Sequence, residues 1–213
     1  MLLAGPCAWA AITFFTVCMG QSALPCEWVE AAEKLARAGD CSRALALLKK
    51  ANAVGECAAR AHRVALICHA RLGHYDRAAR AVTDLLHADP SPELLAATGR
   101  ELQAMGLGLP EHTRFDLGIG IDPPVLLILS TPRLSAAAHR AGWDLEVHVC
   151  GEIAADGKVT EARAWVERVL MLDDQGVPAA VQQALLRWRF FPALADGNPV
   201  QARICTIATF EPR

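Results

Sequence analysis

The segment Gly39-Asp40-Cys41-Ser42-Arg43-Ala44 recurs as Gly73-His74-Tyr75-Asp76-Arg77-Ala78, offset by 34 residues from glycine to glycine and from alanine to alanine. A self-similar unit of this length implies stacked supersecondary units that bury their apolar faces on one another. Ala44, Leu45, Leu48 and Ala51 recur at helical spacing, as do Ala78, Val82 and Leu85. Gly39 and Gly73 suit tight turns between antiparallel helices, because glycine tolerates positive φ. Pro90 and Pro92 stop the fourth helix, and Glu93 to Met105 reads as a fifth, capping helix ended by Gly106 and Gly108. Two units are fewer than an independent solenoid needs, so the helical piece is expected to lean on a second domain or a partner.

The period and its residues resemble the tetratricopeptide repeat. Trp28 falls at that family's early tryptophan, Ala44 and Ala78 at its small helix-contact positions, and Asp89-Pro90 at its closing proline. Glu56 replaces the proline in the first unit, and His62 stands at the tryptophan position of the second. In this register Cys26 and Cys57 lie at one end of the first hairpin, and Cys41 and Cys68 at the opposite end. Cys26–Cys57 and Cys41–Cys68 are therefore candidate disulfides.

Composition narrows the compartment and the chemistry. From Met1 to Cys26 no side chain is charged, which contributes to a mean hydropathy of +0.23. An apolar run from Ala8 to Met19, followed by Gly20, Ser22 and Ala23, reads residues 1–23 as a secretory signal peptide. The alternative is an uncleaved N-terminal membrane anchor over Leu2 to Gly20, whose 19 residues approach a spanning length. Eight cysteines, an even count in an exported chain, point to disulfides. A net charge of −2 and 6% aromatic residues argue against nucleic acid as a partner. No phosphate loop, paired carboxylates or nucleophile motif stands out, so neither an enzyme nor a cofactor is expected. The best metal-dependent alternative gathers His62, His69 and His74, without any Cys-x-x-Cys.

Residues 107–131 are dense in breakers (Gly108, Pro110, Gly118, Gly120, Pro123, Pro124) and read as a linker between helices over 25–106 and a domain over 132–213. Within the linker, Val125 to Leu129 reads as a short strand that docks on one of the domains. In the C-terminal domain, Leu145, Val147, Val149 and Ile153 alternate with Glu146, His148, Cys150 and Glu152, a strand with one buried face. Asp156-Gly157 predicts a two-residue hairpin turn into a second strand, Val159 to Glu167. Val181, Ala184, Leu185 and Trp188 form one helix stripe that should cover the sheet. Asp196-Gly197-Asn198-Pro199 makes a turn into the last strand, Gln201 to Phe210. Trp188, Phe190 and Phe191 are expected in the core. The fold class is thus α+β, with all-α hairpins before a β-β-α-β unit and its three-stranded antiparallel sheet.

This order resembles the C-terminal domain of the TonB family over about 80 residues, Pro132 to Pro212. The resemblance is carried by Pro132-Arg133-Leu134, Gly142, Leu145-Glu146-Val147, Asp156-Gly157-Lys158-Val159, Trp188-Arg189-Phe190-Phe191-Pro192-Ala193 and Asp196-Gly197-Asn198-Pro199-Val200. It implies a periplasmic, non-enzymatic module that adds an extended partner peptide as a strand to an open sheet edge. Helical repeats replace that family's proline-rich spacer, and Met171 to Gln175 its serine-rich break. The implied partners are envelope proteins, outer-membrane receptors among them if the chain is an anchored energy transducer; a homodimer or the helical domain is the alternative occupant of the edge. A crossover helix places the last strand beside the first, antiparallel, at the edge of the sheet. The binding candidates are then Gln201, Arg203, Thr206, Ile207 and Thr209. Cys150 and Cys205 fall on the uncovered face of neighbouring strands, which makes a third candidate disulfide.

Overall fold

The computed structural model describes residues 24–51, 53–106, 109–110, 112–136, 145–166 and 176–210. The expected signal peptide or anchor over 1–23 lies outside them, as do Gly142 and Met171 to Gln175 of the motif stretches. Among the described residues no helix is long and apolar enough to cross a membrane.

The N-terminal half is α-helical: α1 (Leu24–Arg37), α2 (Cys41–Leu48), α3 (Glu56–Arg71), α4 (Tyr75–His87) and α5 (Pro92–Ala104). Helices α1 and α2 pack as one hairpin and α3 and α4 as the next, with α3 against α1 and α5 against α3. Ala44 and Ala78 are fully buried, so no side chain holds the paired helices apart. The turns before α2 and α4 place Gly39 at φ +84 and Gly73 at φ +70, the left-handed region that glycine enters without steric cost. Asp40 Oδ1 caps α2 by accepting from the Arg43 amide at 3.2 Å. Two expectations shift. Helix α2 ends at Leu48, short of Ala51, and Pro92 opens α5 behind the Ser91 cap rather than closing α4.

The C-terminal half contributes β4 (Leu145–Ile153), β5 (Val159–Val166), α6 (Val177–Leu186) and β9 (Ala202–Phe210). Strand β4 runs antiparallel to both β5 and β9, and α6 lies on β4 and β5. Val147, Val149, Ile153, Ile204, Val181, Leu185 and Trp188 fill the core between sheet and helix. The hairpin loop is longer than the expected two residues: the Ala154 amide donates to the Lys158 carbonyl at 2.8 Å. A bulge between Glu152 and Ile153 re-aims the strand there.

Three further features go beyond the sequence reading, apart from the short docking strand already expected at Val125 to Leu129. First, residues 107–131 are not a bare linker. They carry β1 (Arg114–Asp116), β2 (Ile121–Asp122) and β3 (Val125–Ile128). Second, residues 189–200 form β6 (Arg189–Phe191), β7 (Ala193–Ala195) and β8 (Asn198–Val200). Strand β3 pairs with β6, and β2 with β7, which also pairs with β8 through a two-residue turn at Asp196 and Gly197. Third, β1 pairs antiparallel with β9, so the main sheet has four strands in the order β1-β9-β4-β5, not three. Strands of two or three residues leave too few alternations for periodicity to register.

The β3–β6 ribbon joins the halves. Val125 and Leu127 face the core between α3, α4 and α5, whereas Leu126 between them faces the sheet core. Phe191 and Leu194 enter the helical core as well, so the helices lean on the C-terminal half as their short repeat number required. Trp188, Phe190 and Phe191 are all buried, and the Trp188 indole N–H donates to the Ser130 carbonyl at 3.0 Å.

Candidate functional site

The two faces of the main sheet differ in kind. Alternation along β9 sends Ala202, Ile204 and Thr206 inward, and Arg203, Cys205, Ile207 and Thr209 to the side away from α6. On that outer side, cross-strand register stacks Trp165, His148 and Ile207 in one row and Arg163, Cys150, Cys205 and Arg114 in the next. The rings of His148 and Trp165 stack at 5.7 Å with an interplanar angle of 19°. Trp165 remains 45% exposed. Cys150 and Cys205 are direct Cα partners 4.1 Å apart, and they form a disulfide across β4 and β9.

The five candidate residues are not equivalent. Gln201 precedes β9 and reaches Glu152 with its amide at 3.5 Å. Arg203 meets the same carboxylate at 4.0 Å, the outer limit of an ion pair. Thr206 is buried, and its hydroxyl accepts from Thr113 Oγ1 at 3.1 Å. Ile207 is half-buried and Thr209 exposed. The expectation that the outer flank of β9 is open over its whole length is corrected here. Strand β1 covers Arg203, Ile204 and Cys205, through the pairs Asp116–Arg203, Phe115–Ile204 and Arg114–Cys205. From Ile207 to Phe210 no strand among the described residues pairs with that flank. Arg114, Phe115 and Asp116 are the site residues that sequence reasoning missed. The apolar Phe115 between charged neighbours is their only trace in the sequence.

Two buried-side carboxylates of the helical half, Glu33 and Glu101, are held in internal pairs. Arg60 of α3 grips Glu33 of α1 through two nitrogens, at 3.0 and 2.8 Å. Arg63 and Arg71 both reach Glu101 of α5, at 2.6 and 2.9 Å. The hydrogen bonds from Arg60, opposed by partial burial, hold the Glu33 carboxyl below the ordinary glutamate range. Glutamates tied this way are ligands for their own neighbours rather than for a visitor.

Of the helical cysteine pairs, Cys26–Cys57 is a disulfide with a Cα separation of 5.5 Å. Cys41 and Cys68 are not; both are buried free thiols beneath α1, α2 and α3, among Ala32, Ala36, Ala44 and Val64. Burial, with a hydrogen bond to Cys41, pushes the Cys68 thiol far above the ordinary thiol range. Exchange needs a thiolate and access, and this site denies both. His69 and His74 approach with ring centroids 5.9 Å apart. Among the described residues no three His, Cys, Asp or Glu side chains are placed to hold a metal ion.

No protein-family model matches the sequence, and no curated protein matches it. Among solved structures, the chain is similar to the solution NMR structure of the Pseudomonas aeruginosa TonB C-terminal domain. Identity is 22%, 44% of this chain and 88% of that chain are covered, and the TM-score is 0.33.

Proposed function

We propose that this protein is an exported, non-enzymatic adaptor of the cell envelope that captures an extended partner segment along the outer flank of β9. The observation that carries the reading is that flank itself: Ile207 to Phe210 form the end of a nine-residue strand whose main-chain groups on one side pair with no described strand. Such an edge is a template for another chain's backbone. The sequence motifs of the C-terminal half support the reading, as does a sheet built in the β-β-α-β order those motifs imply. Two disulfides suit an oxidising compartment such as the periplasm.

The tetratricopeptide-like helices are assigned a supporting part. Glu33 and Glu101 are taken up by their own arginines, and the apolar face of α3, α4 and α5 is spent on Val125, Leu127, Phe191 and Leu194. A second reading, an anchored energy transducer for outer-membrane receptors, is favoured by the uncharged run from Leu2 to Gly20. N-terminal sequencing of the mature protein decides between them, since an intact N-terminus is required for the anchor.

The edge reading is tested by placing a photo-crosslinking amino acid at Thr209 of the full chain in intact cells, with Thr160 on β5 as control. The expected result is adducts at Thr209 that map to one extended segment of an envelope protein. Adducts only with a second copy of this chain, or none, would remove the reading.

A further inference from the structure

We propose that β1 is a built-in stand-in for the partner strand, and that its side chains spell out what the partner must carry. The inference rests on the edge reading above. The partner is an extended segment running antiparallel to β9. It places a bulky apolar residue where Phe115 sits and an acidic residue opposite Arg203, and it takes the edge by displacing β1.

The chain already shows what this edge accepts. Strand β1 docks antiparallel, and its central Phe115 points inward and meets Phe190 edge-on at 6.3 Å. Thr113, one residue before β1, donates to the buried Thr206 hydroxyl. On the outer face Asp116 is the cross-strand partner of Arg203, where opposite charges favour pairing. An inward apolar group, an inward hydroxyl and an outward acid are therefore the groups that fit these three rungs.

Strand β1 is also easy to replace. It engages three residues of β9, which has nine. Its N-terminal side is cut short because His112 adopts φ +62, a left-handed conformation uncommon outside glycine, and turns the chain away. The Thr113 amide closes that turn on the Pro110 carbonyl at 3.1 Å. Rungs from Ile207 to Phe210 are thereby left for a guest that continues straight where β1 turns off. A longer segment of the same chemistry gains main-chain pairs that β1 does not make, and that surplus is the differential affinity displacement requires.

The test uses the full chain and the synthetic peptide Val-Thr-Val-Thr-Thr-Arg-Phe-Asp-Leu, whose last five residues copy 113–117 and whose first four continue the alternation along 207–210. Site-resolved amide exchange is the readout. Binding is expected to protect 207–210 while residues 114–116 lose protection. Phe115→Ala, which loosens β1, should tighten peptide binding by about tenfold, since less of the chain is held in the closed form. On the native chain a peptide carrying Lys in place of Asp should bind about fivefold more weakly, and Arg203→Glu, at an exposed position, should reverse that preference. Binding that leaves 114–116 protected, or a charge reversal without compensation, would overturn the proposal. If the peptide protects nothing while Thr209 still captures an envelope protein, this partner chemistry is wrong and the edge reading survives. If both fail, both fall.

Discussion

Phe190 and Phe191 are neighbours on β6, yet their rings lie in different cores: Phe190 among Val147, Val181 and Ile204, and Phe191 among Leu95, Leu102 and Val125. A strand's alternation makes this possible when both of its faces are covered. Strand β6 and its partner β3 are thus a shared wall, and the helical and sheet halves have no independent boundary there.

That wall predicts cooperative unfolding. Phe191→Ala should destabilise the chain by about 3–4 kcal/mol, as for other fully buried phenylalanines. The loss should appear in one transition, with helix content by far-UV circular dichroism and the fluorescence of a variant keeping Trp188 as its sole tryptophan changing together. Two separate transitions in the unsubstituted protein would mean that the ribbon does not couple the halves.

The hairpin loop between β4 and β5 is pinned to the same wall. The Phe190 amide donates to the Gly157 carbonyl at 2.8 Å, and Gly157 sits at φ +81. A β-carbon at Gly157 would run into the Phe190 carbonyl oxygen. Gly157→Ala therefore combines a strained φ with a backbone clash, and should cost about 3 kcal/mol in urea unfolding. A loss under about 1 kcal/mol would show that the loop moves aside freely.

Acid should unfasten α1 from α3 in part. The Glu33 carboxyl is depressed in the folded chain by its hydrogen bonds from Arg60. Its contribution to stability is complete above the unfolded-state value of about 4.3, and it is lost as pH falls through the lower folded value. Glu33→Gln should then cost about 1–2 kcal/mol at neutral pH. The gap from the native protein should close as the urea titration is repeated toward pH 3. A gap independent of pH would assign the loss to packing instead.

The chemistry of the six cysteines from Cys26 to Cys205 should divide two ways. Alkylation of the native protein should leave Cys41 and Cys68 unlabelled, with both labelled after denaturation without reductant, by peptide mass mapping. Cys26, Cys57, Cys150 and Cys205 should label only after reduction. Replacing both Cys150 and Cys205 by Ser should destabilise the chain by about 4 kcal/mol on the chain-entropy account, given their separation of 55 residues.

Much of this was legible without coordinates. The pairings Cys26–Cys57 and Cys150–Cys205 followed from the repeat register and the crossover topology, and the helices of the repeat, the turn at Asp196 and Gly197 and the long strands from local periodicity and turn chemistry. These signals act over a few residues and are written where they operate. Cys41 and Cys68 show the limit: the register puts them at the same end of the hairpin, but whether two thiols meet in water or in a dry core depends on what packs over them.

The alternation along 145–153 and 201–210 by itself determined that strands with one covered face would form and that Cys150 and Cys205 would lie on the other face. Only the tertiary structure decided what lies along the free flank of β9. Three residues bracketed by Pro110 and Gly118 carry no period of their own. They become a strand because Phe115 finds Phe190 and because β9 offers unpaired main-chain groups, a long-range contact that no window of local sequence contains.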